Sequence, residues 1–162
     1  MRELMPLAER VGAALKQRGE TVSVAESSSG GLISAALLGV AGASAYYLGG
    51  GVIYTPKARA VLAGIPRADV AGMRSASEPY ALLLARTARE RLAATWGVSE
   101  TGAAGPTGNP YGDAAGHSCV AISGPLDAVL TIETGSADRV ANMYVFAAGA
   151  LELLLRGLQG SP

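Results

Sequence analysis

The sequence predicts an α/β protein, with helices packed on a sheet that is largely parallel in its first half. Short β-branched or alternating runs are separated by segments with helical spacing along most of the chain. Apolar residues make up 49% of the 162 positions, are mostly small, and include few aromatics, which favours close helix-on-sheet packing. The last two predicted strands flank Gly124–Pro125, which indicates an antiparallel hairpin.

Helices are predicted from apolar spacing and capping residues. They cover residues 5–18, 32–38, 56–63 and 78–94, and a last helix runs through residues 140–158. Gly19 and Gly64 end the first and third, Ser75 or Ser77 caps the fourth, and Ser136 caps the last. The fourth helix is expected to bury Leu84, Ala88 and Leu92 and to expose Arg86, Arg89 and Arg91. The last helix carries a continuous apolar stripe: Val140, Met143, Tyr144, Ala147, Leu151, Leu154 and Leu158.

Strands are predicted over residues 21–25, 47–54, 96–99, 118–123 and 128–134. Between the third and fourth lies an irregular segment, residues 101–116, with five glycines and two prolines. A loop of this length directly after a strand of a compact domain is typical of a functional segment.

Length and charge limit the classes of function. The 162 residues are expected to form one domain with a single core. The formal net charge is zero and no basic run occurs, which argues against nucleic-acid or membrane-surface binding. The single cysteine, Cys119, excludes an internal disulfide and is expected to be buried and inert. No apolar run reaches the ~20 residues of a membrane span and no signal-peptide pattern is seen, so a cytoplasmic location is expected.

The stretch around which the chain is organised is residues 21–31, a strand followed by Glu26, three serines and two glycines. Glycine allows close approach of the backbone to a ligand, and a helix start offers unpaired N–H groups. The junction therefore suits anion binding or attack on a carbonyl group. The alternative is a tight turn in which the serines only cap the next helix.

Four motifs together resemble the CinA C-terminal domain family. They are Ala25–Glu26–Ser27–Ser28–Ser29–Gly30–Gly31, Gly51–Val52–Ile53–Tyr54–Thr55, Ser77–Glu78–Pro79 and Thr101–Gly102–Ala103–Ala104–Gly105–Pro106, in the family's order and spacing. The resemblance implies a three-layer α/β/α sandwich with a mixed, mostly parallel sheet. It also implies hydrolysis of the carboxamide of nicotinamide mononucleotide to nicotinate mononucleotide and ammonia, without a metal or cofactor.

The resemblance implies catalytic roles for Ser27 as nucleophile and Tyr54 as proton carrier. The family's basic lysine corresponds to Arg59, which cannot take a proton from a serine because a guanidinium stays protonated in proteins. Arg59 is expected either to hold the Tyr54 side chain in place or to stabilise a Tyr54 phenolate that acts as the base. Lys57 lies roughly 200° around the helix from Arg59, so both cannot face one site. The alternative is that both side chains lie on a solvated helix face.

The resemblance also implies substrate contacts from two loops. Glu26, Ser29, Gly30 and Gly31 belong to the first, and Thr101, Gly102, Ala104 and Gly105 belong to the second. The amides of Gly30 and Gly31 are expected to form an oxyanion hole, and Glu26 either contacts the ribose or braces its own loop. The family also has an arginine that binds the phosphate of the substrate. If the alignment includes a two-residue insertion, Arg139 corresponds to that arginine; if it has no insertion, Ala137 does.

His117, the only histidine, is expected to be structural rather than catalytic. The first functional hypothesis is an amidohydrolase acting on a pyridine nucleotide. The second is a weakened family member that binds a nucleotide-like small molecule, and the third is a structural subunit, against which the Ser- and Gly-rich loops argue. We expect a small-molecule substrate, no nucleic-acid or membrane partner, and a homo-oligomer.

Overall fold

A computed structural model describes residues 1–160, and its elements alternate as predicted. The strands are β1 (Val22–Glu26), β2 (Tyr47–Val52), β3 (Trp96–Ala103), β4 (His117–Ser123) and β5 (Ala128–Glu133). The helices are α1 (Met5–Arg18), α2 (Leu32–Leu38), α3 (Pro56–Leu62), α4 (Glu78–Leu92) and α5 (Arg139–Leu158). Two short 3-10 helices cover Ala43–Ala45 and Arg67–Val70.

The five strands form one mixed sheet in the order β2-β1-β3-β4-β5. β1 pairs in parallel with both β2 and β3, whereas β4 pairs antiparallel with β3 and β5. The predicted hairpin is therefore present, and parallel and antiparallel pairings are equal in number. Ala25 of β1 lies opposite Ser99 of β3, so the residues that follow them, Glu26 and Glu100, come together at one end of the sheet.

Helices cover both faces of the sheet, as the predicted three-layer sandwich requires. On one face α1, α2 and α5 pack against one another, and their core contains Leu15, Trp96 and Leu151. On the other face α4 lies across β1, β3 and β4. A smaller core that includes Ile53, Tyr80 and Leu84 lies at this second face. Burial of each such large side chain contributes about 1.5–3 kcal/mol to the free energy of unfolding.

The capping contacts of α5 and α4 differ from the sequence prediction, and α4 ends at Leu92 rather than near residue 94. The N-cap of α5 is Asp138, whose carboxylate accepts a hydrogen bond from Ala141 N at 3.1 Å, so the predicted Ser136 cap is wrong. Ser136 lies two residues earlier, where its Oγ accepts from Asp138 N instead. Ser77 is the N-cap residue of α4, but its hydroxyl donates to Arg74 O rather than accepting from the helix. α1 ends at Gly19, in a left-handed conformation, as predicted.

Two apolar residues expected in the core are exposed. Val140 is 62% exposed because the first turn of α5 lies outside the packed part of the helix, and all of residues 138–141 are exposed. Leu92 is 44% exposed because the last turn of α4 also lies outside the packed part of its helix. The buried face of α5 includes Phe146 and Leu153, which the predicted stripe omitted.

Strand β3 is longer than predicted. It continues through Ala103 because β4 pairs with it along its whole length, with Thr101 opposite Cys119 and Gly102 opposite Ser118. A side chain at Gly102 would clash with His117 O, since an added Cβ would lie 2.4 Å away. Thr101 and Gly102, predicted to lie in a loop, are thus held in the sheet, whereas β2 ends at Val52, before Tyr54.

Two further sequence predictions concern Cys119 and membrane spans. Cys119 is buried, and its burial raises the pKa of the thiol. Among residues 1–160, α5 is the one helix with the length and hydropathy of a membrane span, and 56% of the relevant window is buried inside the fold. This helix supplies the core between the sheet and α1.

Candidate active site

A cleft of about 290 Å³ brings together residues that are far apart in the sequence. Five predicted site residues line it: Ser27, Tyr54, Arg59, Thr101 and Gly102. The rest of the lining consists of Ile53, Thr55, Pro56, Ser75, Ala76, Tyr80, Asn109, Pro110 and Tyr111. The volume is near the lower end of the ~300–1,000 Å³ typical of small-molecule sites.

The topology explains why these residues meet. Ser27 follows β1, and Tyr54 follows the neighbouring parallel strand β2. Thr101 lies on β3, which is parallel to β1 on its other side. Ligand sites in open α/β sheets form beyond the carboxyl ends of parallel strands, and the cleft is in that place.

Glu26 braces the turn that carries Ser27. Its carboxylate is fully buried and accepts five hydrogen bonds of 2.6–3.1 Å from the turn and from the start of α2. The donors are Ser29 Oγ, Gly31 N, Ile33 N, Ser34 N and Ser34 Oγ. A carboxylate has about four acceptor sites, so these contacts leave no oxygen lone pair for a ribose. Of the two predicted roles, Glu26 therefore braces its own loop and does not contact a substrate.

A second buried carboxylate, Glu100, holds the same turn from the neighbouring strand, and the sequence reasoning missed it. Glu100 Oε2 accepts from Ser27 N at 3.1 Å and from Ser29 N at 2.8 Å. Its Oε1 accepts from Ser28 Oγ and, at 2.9 Å, from Ser118 Oγ. A signal was available, since Glu100 is the one charged residue within 96–103, and charged residues are rarely buried without partners.

The amides of Gly30 and Gly31 are not available as an oxyanion hole, which corrects the sequence prediction. Gly30 N donates to Ser27 O at 3.1 Å, and Gly31 N donates to Glu26. Both glycines have positive φ angles, so their role is to let the turn close. Within residues 27–31 of the described chain, Ser28 N is the one amide without an acceptor.

Tyr54, in the cleft lining, is hydrogen-bonded to Arg139, which lies outside that lining. Tyr54 is 58% exposed, and its hydroxyl accepts a hydrogen bond from Arg139 Nη2 at 3.1 Å. Arg139 Nη1 donates to Gly105 O at 2.5 Å, so one guanidinium joins the second loop to the tyrosine. Arg139 thus lies beside a cleft residue without lining the cleft itself, and its role as a phosphate ligand stays a prediction.

Arg59 and Lys57 occupy different environments on α3. Arg59 is 9% exposed, lines the cleft, and donates from Nε to Ile65 O at 3.3 Å. Among residues 1–160 no carboxylate forms an ion pair with it. Lys57 is exposed and does not line the cleft. The alternative that both side chains lie on a solvated helix face therefore holds for Lys57 but not for Arg59.

Seven of the predicted binding residues lie outside the cleft lining: Glu26, Ser29, Gly30, Gly31, Ala104, Gly105 and Arg139. Ser29 is buried and its hydroxyl donates to Glu26. Ala104 O accepts from Asn142 Nδ2 at 2.8 Å, and Gly105 O accepts from Arg139. The second loop is thus fastened to α5 by its carbonyl groups, and Thr101 and Gly102 are its members at the cleft.

His117 also lies outside the lining, in the layer behind it. Both ring nitrogens are engaged, Nε2 with Ala76 O and Nδ1 with Glu133 Oε1. This placement agrees with the structural role expected for it. Ala76 itself, which the sequence reasoning overlooked, forms part of the cleft wall.

No group of three or more His, Cys, Asp or Glu side chains in residues 1–160 is arranged to hold a metal ion. The cleft lining offers the hydroxyl of Ser27, the phenol of Tyr54 and the guanidinium of Arg59, and the guanidinium of Arg139 is hydrogen-bonded to that phenol.

Comparison with known proteins agrees with the family indicated by the four motifs. The family model of the CinA C-terminal domain matches residues 4–158. The chain belongs to the CinA C-terminal domain family.

Its relatives within that family include longer proteins. A CinA-like protein of Salinibacter ruber is 38% identical over 148 residues, covering 91% of this chain and 36% of the relative. A CinA-like protein of Anaeromyxobacter dehalogenans is 39% identical over 153 residues, covering 93% and 38%. The chain thus spans a little over a third of the length of these CinA relatives.

Solved structures of CinA proteins share the fold. A CinA superfamily protein of Klebsiella pneumoniae superposes with a TM-score of 0.90 at 25% identity, covering 97% of this chain and 98% of the other. The competence/damage inducible protein CihA of Agrobacterium tumefaciens superposes with a TM-score of 0.88 at 30% identity, covering 96% and 95%. The α/β architecture is therefore that of the CinA C-terminal domain.

Proposed function

We propose that this CinA-family chain hydrolyses the carboxamide of a pyridine nucleotide, converting nicotinamide mononucleotide to nicotinate mononucleotide and ammonia. The observation that carries the proposal is the presence of Ser27, Tyr54 and Arg59 in one cleft, on a turn and a helix held by buried contacts. Rigid support of a nucleophile is what acyl transfer requires, because small displacements of reacting atoms cost large factors in rate.

In the proposed reaction, Ser27 Oγ attacks the carboxamide carbon and gives its proton to Tyr54. The carbonyl oxygen then carries negative charge, and the donor we assign to it is Ser28 N, which directly follows the nucleophile and has no acceptor of its own among residues 1–160. The C–N bond breaks as Tyr54 passes that proton to the leaving nitrogen, which departs as ammonia. Water then cleaves the ester on Ser27, which releases the carboxylate and restores the hydroxyl.

Arg59 and Arg139 supply positive charge at the cleft. Arg139 already donates to Tyr54 Oη, and a cation beside an oxygen stabilises negative charge on it. A phenolate at Tyr54 would be the base that Arg59 itself cannot be. The same guanidinium groups match the geometry of a phosphate, which supports a nucleotide as the ligand.

A second candidate function is binding of a nucleotide-like small molecule with little or no turnover. Arg59 favours it, because a guanidinium occupies the place where the family pattern has an amine that can accept a proton. The cleft would then keep its anion-binding groups without an efficient base.

Ammonia release from nicotinamide mononucleotide by the purified chain tests both candidates. The variants are Ser27→Ala and Arg59→Lys, with Ser44→Ala, at an exposed serine of a 3-10 helix, as the matched control. We expect turnover to disappear in Ser27→Ala, to persist in Ser44→Ala, and to rise in Arg59→Lys. Thermal stabilisation by the nucleotide without turnover supports the second candidate. Absence of both turnover and stabilisation contradicts the two candidates together.

A further inference from the structure

His117 is buried behind the cleft wall and is hydrogen-bonded at both ring nitrogens. Nε2 lies 2.8 Å from Ala76 O, and Nδ1 lies 2.5 Å from Glu133 Oε1. A backbone carbonyl only accepts, so Nε2 must carry a hydrogen. The partner of Nδ1 is a carboxylate, which when ionised also only accepts. Full satisfaction of both contacts therefore requires the doubly protonated imidazolium.

The residue that His117 holds, Ala76, is part of the cleft wall. Ala76 has a φ of 53°, in the left-handed region that alanine rarely adopts. It is held from both sides, since its N donates to Thr101 Oγ1 at 3.3 Å and its carbonyl accepts from His117. Thr101 is itself a cleft residue, so a loss of the His117 contact acts directly on the wall.

The His117 imidazole also lies close to the loop before β4, which supplies a second segment of the cleft wall. His117 Nε2 lies 3.8 Å from Asp113 Oδ2. Asp113 accepts from Arg74 Nη1 through both oxygens at 2.8 Å, and from Asn109 Nδ2 at 2.8 Å. Asn109 lines the cleft together with Pro110 and Tyr111. Two wall segments, one before α4 and one before β4, thus meet at one histidine.

The charged groups around the ring favour its positive form. Glu133 comes from β5 and Asp113 from the loop before β4, while Arg74 is the cation paired with Asp113. The Cys119 thiol lies 3.8 Å from His117 Nε2. Glu78 of α4 is more distant and accepts a hydrogen bond from Thr131 Oγ1, which in turn contacts the Cys119 thiol. Burial alone would lower the pKa of His117, but the hydrogen bonds to Glu133 and Ala76 and the nearby carboxylates raise it above its ordinary value.

We propose that His117 is a positioning residue whose imidazolium fastens the Ala76 wall and the Asn109–Tyr111 loop, so that the cleft loses its ligand affinity when His117 loses its proton. A neutral imidazole has one N–H and cannot donate to Ala76 O and Glu133 at the same time. One hydrogen-bonded contact then becomes a pair of facing acceptors, so the ring no longer holds Ala76 firmly. The attraction between the ring and Asp113 is lost at the same time, which loosens the Asn109–Tyr111 loop. The kinetic part of this inference rests on the proposed function; the structural part does not.

The first experiment is an NMR titration of the imidazole, which is unambiguous because the chain contains one histidine. We expect a pKa above 6.5, the ordinary value, that falls in Glu133→Gln. Glu152→Gln, at an exposed glutamate of α5, is the matched control and should leave it unchanged. A pKa at or below 6.5 in the wild type, or one that does not respond to Glu133→Gln, overturns the proposal.

The second experiment is amide hydrogen exchange, corrected for the intrinsic pH dependence, at Ala76 and in residues 109–113. We expect faster exchange in both segments as the pH rises through the measured pKa, and no such step in His117→Gln, which does not titrate. Exchange in β1 serves as the internal reference. Equal exchange in the two segments above and below the pKa overturns the proposal, whether or not the chain is an amidase.

The third measurement separates this inference from the proposed function. If wild-type protein turns over nicotinamide mononucleotide, KM should rise roughly threefold to tenfold through the His117 pKa while kcat stays constant, and His117→Gln should remove the step. If it binds without turnover, Kd should show the same step. The same pH profile of KM or Kd in wild type and His117→Gln overturns the positioning role.

Discussion

At the scale of single residues, the turn between β1 and α2 is organised by two buried carboxylates. Glu26 and Glu100 are both fully buried, and between them they accept from most of the polar groups of residues 27–34. Buried ions persist only when their hydrogen bonds are satisfied. The serine and glycine residues of the motif are thus explained mainly as donors to these ions, and Ser27 is the hydroxyl left at the cleft.

Replacing Glu26 with glutamine should therefore destabilise the fold severely. Glu26→Gln puts an NH₂ group among five hydrogen-bond donors, so at least one contact becomes repulsive. We expect a loss of about 2–4 kcal/mol in the free energy of unfolding, measured by denaturant titration. Glu9→Gln, at an exposed position of α1, is the control and should change little. Equal stability of the two variants would contradict the bracing role.

Arg139 offers a second test at this scale. Its guanidinium spans Gly105 O and Tyr54 Oη, and a lysine ammonium on the same stem cannot reach both with a fixed fork. Arg139→Lys should weaken binding of nicotinamide mononucleotide roughly tenfold by calorimetry, with a much smaller effect on stability. Arg156→Lys, exposed near the end of the same helix, should bind as the wild type does. If Arg139→Lys binds nicotinamide mononucleotide as tightly as the wild type does, Arg139 is not part of the ligand site.

At the scale of elements, the packing of α4 on β3 depends on the absence of a side chain at Gly97. A Cβ there would lie 1.9 Å from Ala85 O and 2.9 Å from Arg89 Cβ. Helix and strand are thus in direct backbone contact, which positions the wall formed by Ala76 and Tyr80 over the cleft.

Gly97→Ala should consequently force α4 away from the sheet. We expect a loss of about 1–3 kcal/mol or more in the free energy of unfolding, since the obstacle is backbone that cannot rotate away. Gly51→Ala is the matched control, because its Cβ would meet Ile53 Cδ1 at an ordinary distance of 3.4 Å. The measurement is thermal or denaturant unfolding of both variants, and a milder effect at position 97 than at position 51 would refute this account of the packing.

At the scale of the whole molecule, charged groups couple stability to pH in two directions. Burial alone would raise the pKa of Asp113, but hydrogen bonds from Asn109 and Arg74 and the nearby His117 lower it below its ordinary value. A carboxyl group with a lowered pKa stabilises the fold above its unfolded pKa, and that contribution is lost as the pH falls through the folded value. His117 has the opposite sign, since its raised pKa gives a contribution that is lost as the pH rises through it.

The free energy of unfolding should therefore decline on both the acid and the alkaline side of an intermediate maximum. Denaturant titrations across the pH range should show a flatter acid side in Asp113→Asn, which cannot titrate. Asp69→Asn, at an exposed aspartate of a 3-10 helix, should keep the wild-type profile. The interpretation fails if Asp113→Asn loses stability toward acid as steeply as the wild type does.

Most of the fold could be predicted from the sequence because its signals are local. Apolar spacing and end residues such as Gly19 placed α1 and α2 at their observed bounds, and Gly124–Pro125 indicated the hairpin. The errors lie where a distant partner decides. β3 continues past Ser99 because β4 pairs with it, and Val140 is exposed because no element covers the first turn of α5.

By itself the sequence determined the order of elements, which follows from periodicity, and the family, which follows from the resemblance of the four motifs. The same resemblance led to the prediction that Ser27, Tyr54 and Thr101 share one site, and all three line one cleft. Only the tertiary structure decided which groups are engaged. Ser27 N and Glu100 are 73 positions apart, and Tyr54 and Arg139 are 85 apart. Partners at such separations are chosen by strand register and helix packing, which no local pattern specifies. For that reason Glu100, the engaged glycine amides and the inward position of Arg59 became apparent only in three dimensions.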